Sequence, residues 1–134
     1  MRRILLAVIT AVFASLLFTG TAVAGSPHFV GQTSIERDGD DLVVSGKIAG
    51  LGNETEVHVE VTALAECINP GGNKPQADNK ESFSAEGDFP VQNGKALFEL
   101  TLDPSFQPEC DPPMTVEFSN VEVVDLTHGL QLYP

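Results

Sequence analysis

Tryptophan is absent and tyrosine occurs once, at Tyr133. A glycosidase cleft or a lectin surface built from sugar-stacking rings therefore has no side chains to draw on. Basic residues are scarce, with seven Lys and Arg against 19 Asp and Glu and a formal net charge of −12. A surface this acidic repels phosphate backbones, so nucleic acid is excluded as a partner. No Gly-x-Ser-x-Gly elbow, phosphate-cradling glycine loop or Cys/His metal spacing occurs, so no catalytic centre, metal site or cofactor is expected.

Long apolar runs are confined to the first residues. Met1-Arg2-Arg3 precedes an apolar stretch from Ile4 to Phe18 and small residues ending Ala22-Val23-Ala24. A basic head, a hydrophobic segment and an Ala-x-Ala site form the three-part pattern of a secretory leader cleaved near Ala24. The apolar stretch is about 15 residues, short of the roughly 20 that span a bilayer, and no membrane insertion of the mature chain is expected. Ile4-Leu5-Leu6 after the paired arginines favours the general export route over the twin-arginine one. Removing the first 24 of 134 residues leaves 110, one domain with a real core, and loss of Arg2 and Arg3 takes the net charge to −14. The acidity is expected to serve solubility.

Cysteine occurs only at positions 67 and 110. Export places both thiols where they oxidise, so a Cys67–Cys110 disulfide is expected.

From Gly25 onward apolar residues recur with a period of two and no 3.6-residue periodicity is visible. His28–Glu36 reads as a first strand, and Asp38-Gly39 as a turn. Leu42, Val44, Gly46 and Ile48 then share one face, and Gly50-Leu51-Gly52-Asn53 turns the chain. Val57, Val59, Val61, Ala63 and Ala65 alternate with polar residues, and Cys67 continues their inward parity. Phe83, Ala85, Phe89 and Val91 resume the alternation, and Asn93-Gly94 marks a hairpin into Ala96, Phe98, Leu100 and Leu102. Pro90 is expected where its missing N–H harms no ladder. Val116 and Phe118 share one parity and Val121 and Val123 the other, which predicts a bulge near Ser119-Asn120. About seven strands at this spacing predict an all-β, two-layer antiparallel immunoglobulin-like sandwich with one disulfide. Residues 67–81 and 103–113 read as two long loops pinned together by that disulfide.

His28, His58 and His128 show no ligand spacing and are expected on the surface. Asp38, Asp40 and Asp41 lack the spacing of a calcium loop and read as a solvated turn. Asn53-Glu54-Thr55 is a glycosylation sequon, relevant only in a eukaryotic source.

The segment Cys67-Ile68-Asn69-Pro70-Gly71-Gly72-Asn73-Lys74-Pro75, with Gly50-Leu51-Gly52-Asn53 before it and Cys110 after it, is the most distinctive in the chain. It resembles the C-x-N-x-G-G-N loop of a group of small uncharacterised secreted proteins of actinobacteria and fungi. The resemblance covers most of the mature chain and implies secretion, a β fold and the disulfide. It implies no activity.

The functional expectation is a non-enzymatic secreted module that binds a protein or cell-surface partner through Asn69, Pro70, Gly71, Gly72, Asn73, Lys74 and Pro75, together with residues 103–113. A disulfide that stiffens two loops lowers the ordering cost of binding. A second expectation is a protease inhibitor presenting Asn69–Pro75 or Pro104–Pro112 as a rigid loop, and a third is a calcium-binding or weakly hydrolytic protein.

Overall fold

The computed structural model describes residues 25–71 and 79–134. The leader at residues 1–24 and the loop positions Gly72, Asn73, Lys74 and Pro75 lie outside the described residues. Among those described there is no α-helix, and none long and apolar enough to cross a membrane. The chain is all-β and antiparallel. Its strands are β1 (His28–Phe29), β2 (Ser34–Asp38), β3 (Asp41–Ala49), β4 (Glu56–Ile68), β5 (Lys80–Gln92), β6 (Lys95–Leu102), β7 (Thr115–Asp125) and β8 (Leu130–Leu132).

The hydrogen-bonded order is β1-β3-β6-β5-β4-β7-β8, with β2 also on β3. β5 pairs with β4 over eleven positions but with β6 only through Val91–Ala96 and Gln92–Lys95. The β3–β6 half and the β4–β5–β7 half are thus joined at one corner and share one apolar interior. Leu42, Val44 and Ile48 of β3 meet Leu102, Leu100 and Ala96 of β6 in register. All six pack in one cluster with Val57, Val59, Val61 and Ala63 of β4. Each of those β4 residues is fully buried, and each buried valine contributes roughly 1.5–3 kcal/mol relative to exposure.

The glycine at position 46 stands opposite Phe98, whose ring would lie 2.6 Å from a Cβ placed there. Its missing side chain leaves room for the Phe98 ring, which meets Phe29 and Phe89 edge-on at 6.3 and 6.2 Å between ring centroids.

Local signals explain the connections. Asn93 and Gly94 both hold positive φ, at 53° and 74°, the geometry a two-residue hairpin requires. Pro90 sits where β5 leaves β4: Val91 N–H donates to Thr55 O at 2.9 Å, so the Pro90 nitrogen faces the side where the β6 ladder has not yet begun. The expected bulge is present, with Leu64 opposite Ser119 and Thr62 opposite Glu122, leaving Asn120 and Val121 against Ala63. Asn120 supplies the positive φ of 52°. This extra residue brings Val123 to the interior on the same face as Val116.

The first strand differs from the sequence expectation. His28–Glu36 is broken into β1 and β2 by Gly31 at a φ of 69°. Val30 N–H still donates to Lys47 O at 2.9 Å, so both pieces stay on the same edge of β3.

Candidate functional site

β4 ends in the site that the cysteines define. Cys67, its penultimate residue, is opposite Val116 of β7 and 2% exposed, as its parity with Val57–Ala65 requires. It is bonded to Cys110 across a Cα–Cα distance of 5.7 Å and 43 residues of chain. The bridge therefore ties the 103–114 loop to the end of a strand, at the base of the 69–79 connection, instead of joining two loop tips. β4 extends to Ile68 and β5 starts at Lys80, so that connection is shorter than the 67–81 loop read from composition. The cross-strand pair Glu66–Lys80, 3.0 Å apart, closes the ladder beside the cysteine.

A second anchor holds the 103–114 loop. Phe106 is buried with Ala65 and Val116 in a small satellite core, with Cys110 packed against it. The Phe106 ring meets Phe83 edge-on at 5.6 Å. A loop pinned by a covalent bond and a buried aromatic four residues apart has little freedom left. What it presents is polar or ring-stiffened: Gln107, Pro108, Glu109, Asp111, Pro112 and Pro113 are all exposed. Beside them is a hollow of about 260 Å³ lined by Asp40, Pro104, Phe106, Glu109, Asp111 and Val116.

Of the sequence-predicted loop, Asn69, Pro70 and Gly71 are exposed directly after β4. The acidic turn is a tight hairpin in which Asp38 pairs with Asp41 and Gly39 takes a φ of 63°. The Asp41 carboxyl is held above its ordinary range by partial desolvation and by the Asp103 carboxylate beside it. Among the described residues no group of three or more His, Cys, Asp or Glu has a metal-holding arrangement.

Two of the three histidines, His58 and His128, occupy the other end of β4. His28 is exposed, its Nδ1 2.8 Å from Ser26 O. His58 Nδ1 lies 2.6 Å from Asp88 Oδ1 and its Nε2 3.3 Å from Glu86 Oε2. His128 departs from the surface reading, since its side chain is only 16% exposed and lies between Asp125 Oδ2 at 2.6 Å and Glu54 Oε1 at 2.8 Å. Asp125, fully buried at the end of β7, also accepts from Thr127 N–H and His128 N–H at 2.9 and 3.2 Å. Sequence spacing missed this cluster. The one legible sign is Asp125-x-Thr127-His128-Gly129, an aspartate whose side chain caps the amides two and three residues on, before a left-handed glycine.

This geometry defines a class: an antiparallel all-β domain with one disulfide and a doubly anchored loop. No protein-family model matches the chain, and neither does any curated protein or any solved structure.

Proposed function

We propose that this chain is a non-enzymatic, exported binding module that engages a protein or cell-surface partner through its disulfide end. The observation that carries this reading is the double anchoring of the 103–114 loop, by Cys67–Cys110 and by Phe106, beneath a run of exposed polar and proline residues. Rigid, exposed loops bind with little ordering cost, whereas a loop stiffened only for stability gains nothing from a solvated tip. Export is supported by the leader pattern at residues 1–24 and by oxidised cysteines.

The test is retention of partners by immobilised protein and by a variant carrying Asn69→Ala, Gln107→Ala, Glu109→Ala and Asp111→Ala. All four side chains are exposed, so the variant is expected to melt as the wild type does while losing the partner. Equal retention by both proteins overturns the reading. The same pinned loop supports a second reading, a protease inhibitor, because the exposed Gln107–Glu109 stretch is closed by the disulfide at Cys110. Stoichiometric inhibition across a panel of extracellular proteases would select it, and its absence would dispose of it.

A further inference from the structure

The corner at the start of β4 is held by two imidazoles, each placed between two carboxylates. One arm is the Asp125–Gly129 turn joining β7 to β8, which docks on β4 through Leu126 N–H to His58 O at 2.8 Å and His58 N–H to Thr127 Oγ1 at 2.9 Å. From this turn His128 reaches back 74 residues to Glu54, in the turn that leads into β4. The other arm is the outer face of β4 and β5, where His58 stands directly opposite Asp88.

Counting donors decides which form of these rings the fold accommodates. A neutral imidazole has one N–H and one lone pair, whereas a carboxylate only accepts. Both nitrogens of His128 lie within 2.8 Å of carboxylate oxygens, so the neutral ring sets a lone pair against an oxygen whichever tautomer it takes. Only the imidazolium donates to both. His58 repeats the arrangement at 2.6 and 3.3 Å. The charged groups in hydrogen-bonding reach of the two rings are Glu54 ahead of β4, Asp125 at the end of β7, and Glu86 and Asp88 on β5. Glu56 and Glu60 flank His58 on its own strand face. All are acidic.

From this geometry we infer that the corner is an acid-set clasp, in which the His128 imidazolium locks the β7–β8 turn onto the Glu54 turn, the His58 imidazolium ties the β4 position on which that turn docks to Asp88 and Glu86 of β5, and both lose that hold when they deprotonate. The element released is the C-terminal edge. β8 pairs with β7 only through Leu130, Gln131 and Leu132, and its turn closes through Gly129 N–H to Asp125 O at 2.8 Å.

The proton equilibria agree in direction. Burial works against a charged His128, but its hydrogen bonds to Glu54 and Asp125 outweigh it and leave the ring above the ordinary 6.5. His58 is raised above 6.5 by Asp88 and then by Glu86. A basic group whose folded pKa exceeds its unfolded one contributes stability in full below the unfolded value, and loses it as pH climbs through the folded value. The clasp is therefore closed on the acid side of neutrality and opens above it.

The experiment is an NMR titration of the histidine rings of the purified protein, with melting curves and amide exchange across the same pH range. Both His58 and His128 are expected to titrate above the ordinary 6.5. The melting temperature is expected to fall by about 4 °C or more between roughly pH 6 and pH 9. Exchange at Thr127–Leu132 should accelerate beyond the intrinsic base-catalysed increase. Glu54→Gln, at a partly exposed carboxylate, should lower the His128 midpoint and leave that of His58 in place. His128→Gln should flatten the melting slope. Midpoints at or below 6.5 overturn the inference. So does an unchanged slope in His128→Gln or, if that variant fails to fold, an unmoved His128 midpoint in Glu54→Gln.

Discussion

The two ends of β4 are secured by opposite kinds of chemistry. At Cys67 the strand is joined to the 103–114 loop by a covalent bond and a small aromatic core. At His58, nine residues and roughly 30 Å away along an extended strand, it is joined to the β7–β8 turn by main-chain hydrogen bonds and to Asp88 of β5 by charge. The covalent end is sensitive to reductant and indifferent to mild alkali. The ionic end is the reverse. One strand thus carries a permanent lock beside the proposed binding surface and a conditional lock at the far corner, so each can be perturbed alone.

The largest effect is expected from cutting the covalent lock. Cys67→Ala with Cys110→Ala removes a cross-link over a 43-residue separation, which the chain-entropy model values at about 4 kcal/mol, or a fall of roughly 15 °C or more in melting temperature. The circular dichroism of the folded fraction should stay that of a β protein. An unchanged melting curve would show that Phe106 alone secures the loop.

Cutting the ionic lock is expected to cost somewhat less. Asp125→Ala strands three donors, Thr127 N–H, His128 N–H and the His128 ring, around a fully buried site, at about 3 kcal/mol in urea denaturation. Because the two ends share no contacts, the Asp125 and cysteine losses should add to within about 0.5 kcal/mol. A larger coupling would mean that β4 transmits strain along its length and that the two locks are one.

The smallest effect sharpens the contrast in pH dependence. Near the covalent end, Asp103 raises the Asp41 carboxyl in addition to its partial desolvation. A carboxyl with a raised folded pKa costs stability as pH rises through that value, so this end also favours acid, but in the carboxylate range instead of the imidazole range. Asp103→Asn should raise the melting temperature slightly at neutral pH and leave the pH-dependent fall above pH 6 unaltered. A change in that fall would place the titrating group at the wrong end of the strand.

Much of the fold is legible in residue order. Val57 to Ala65 announce an inward face by alternation, Asn93-Gly94 announces a hairpin, and the parity break between Phe118 and Val121 announces the bulge at Asn120. The split of the first strand at Gly31 is not legible, because an isolated glycine in a strand costs little and only the pairing of β3 with both pieces shows where the ladder lapses. At the disulfide end the pairing and the inward parity of Cys67 were readable. The anchoring role of Phe106 was not, since it lies among prolines with no alternation to mark it.

The clasp lies at the limit of sequence reading. His58 and Asp88 are 30 residues apart, and His128 and Glu54 are 74 apart. What residue order determines here is each strand's face, each tight turn and the only disulfide two cysteines can make, because those follow from short-range sterics, from burial with a period of two and from simple counting. What only the folded chain decides is which polar groups meet, since a carboxylate and an imidazole attract over a few ångströms and nothing local in either segment specifies the other.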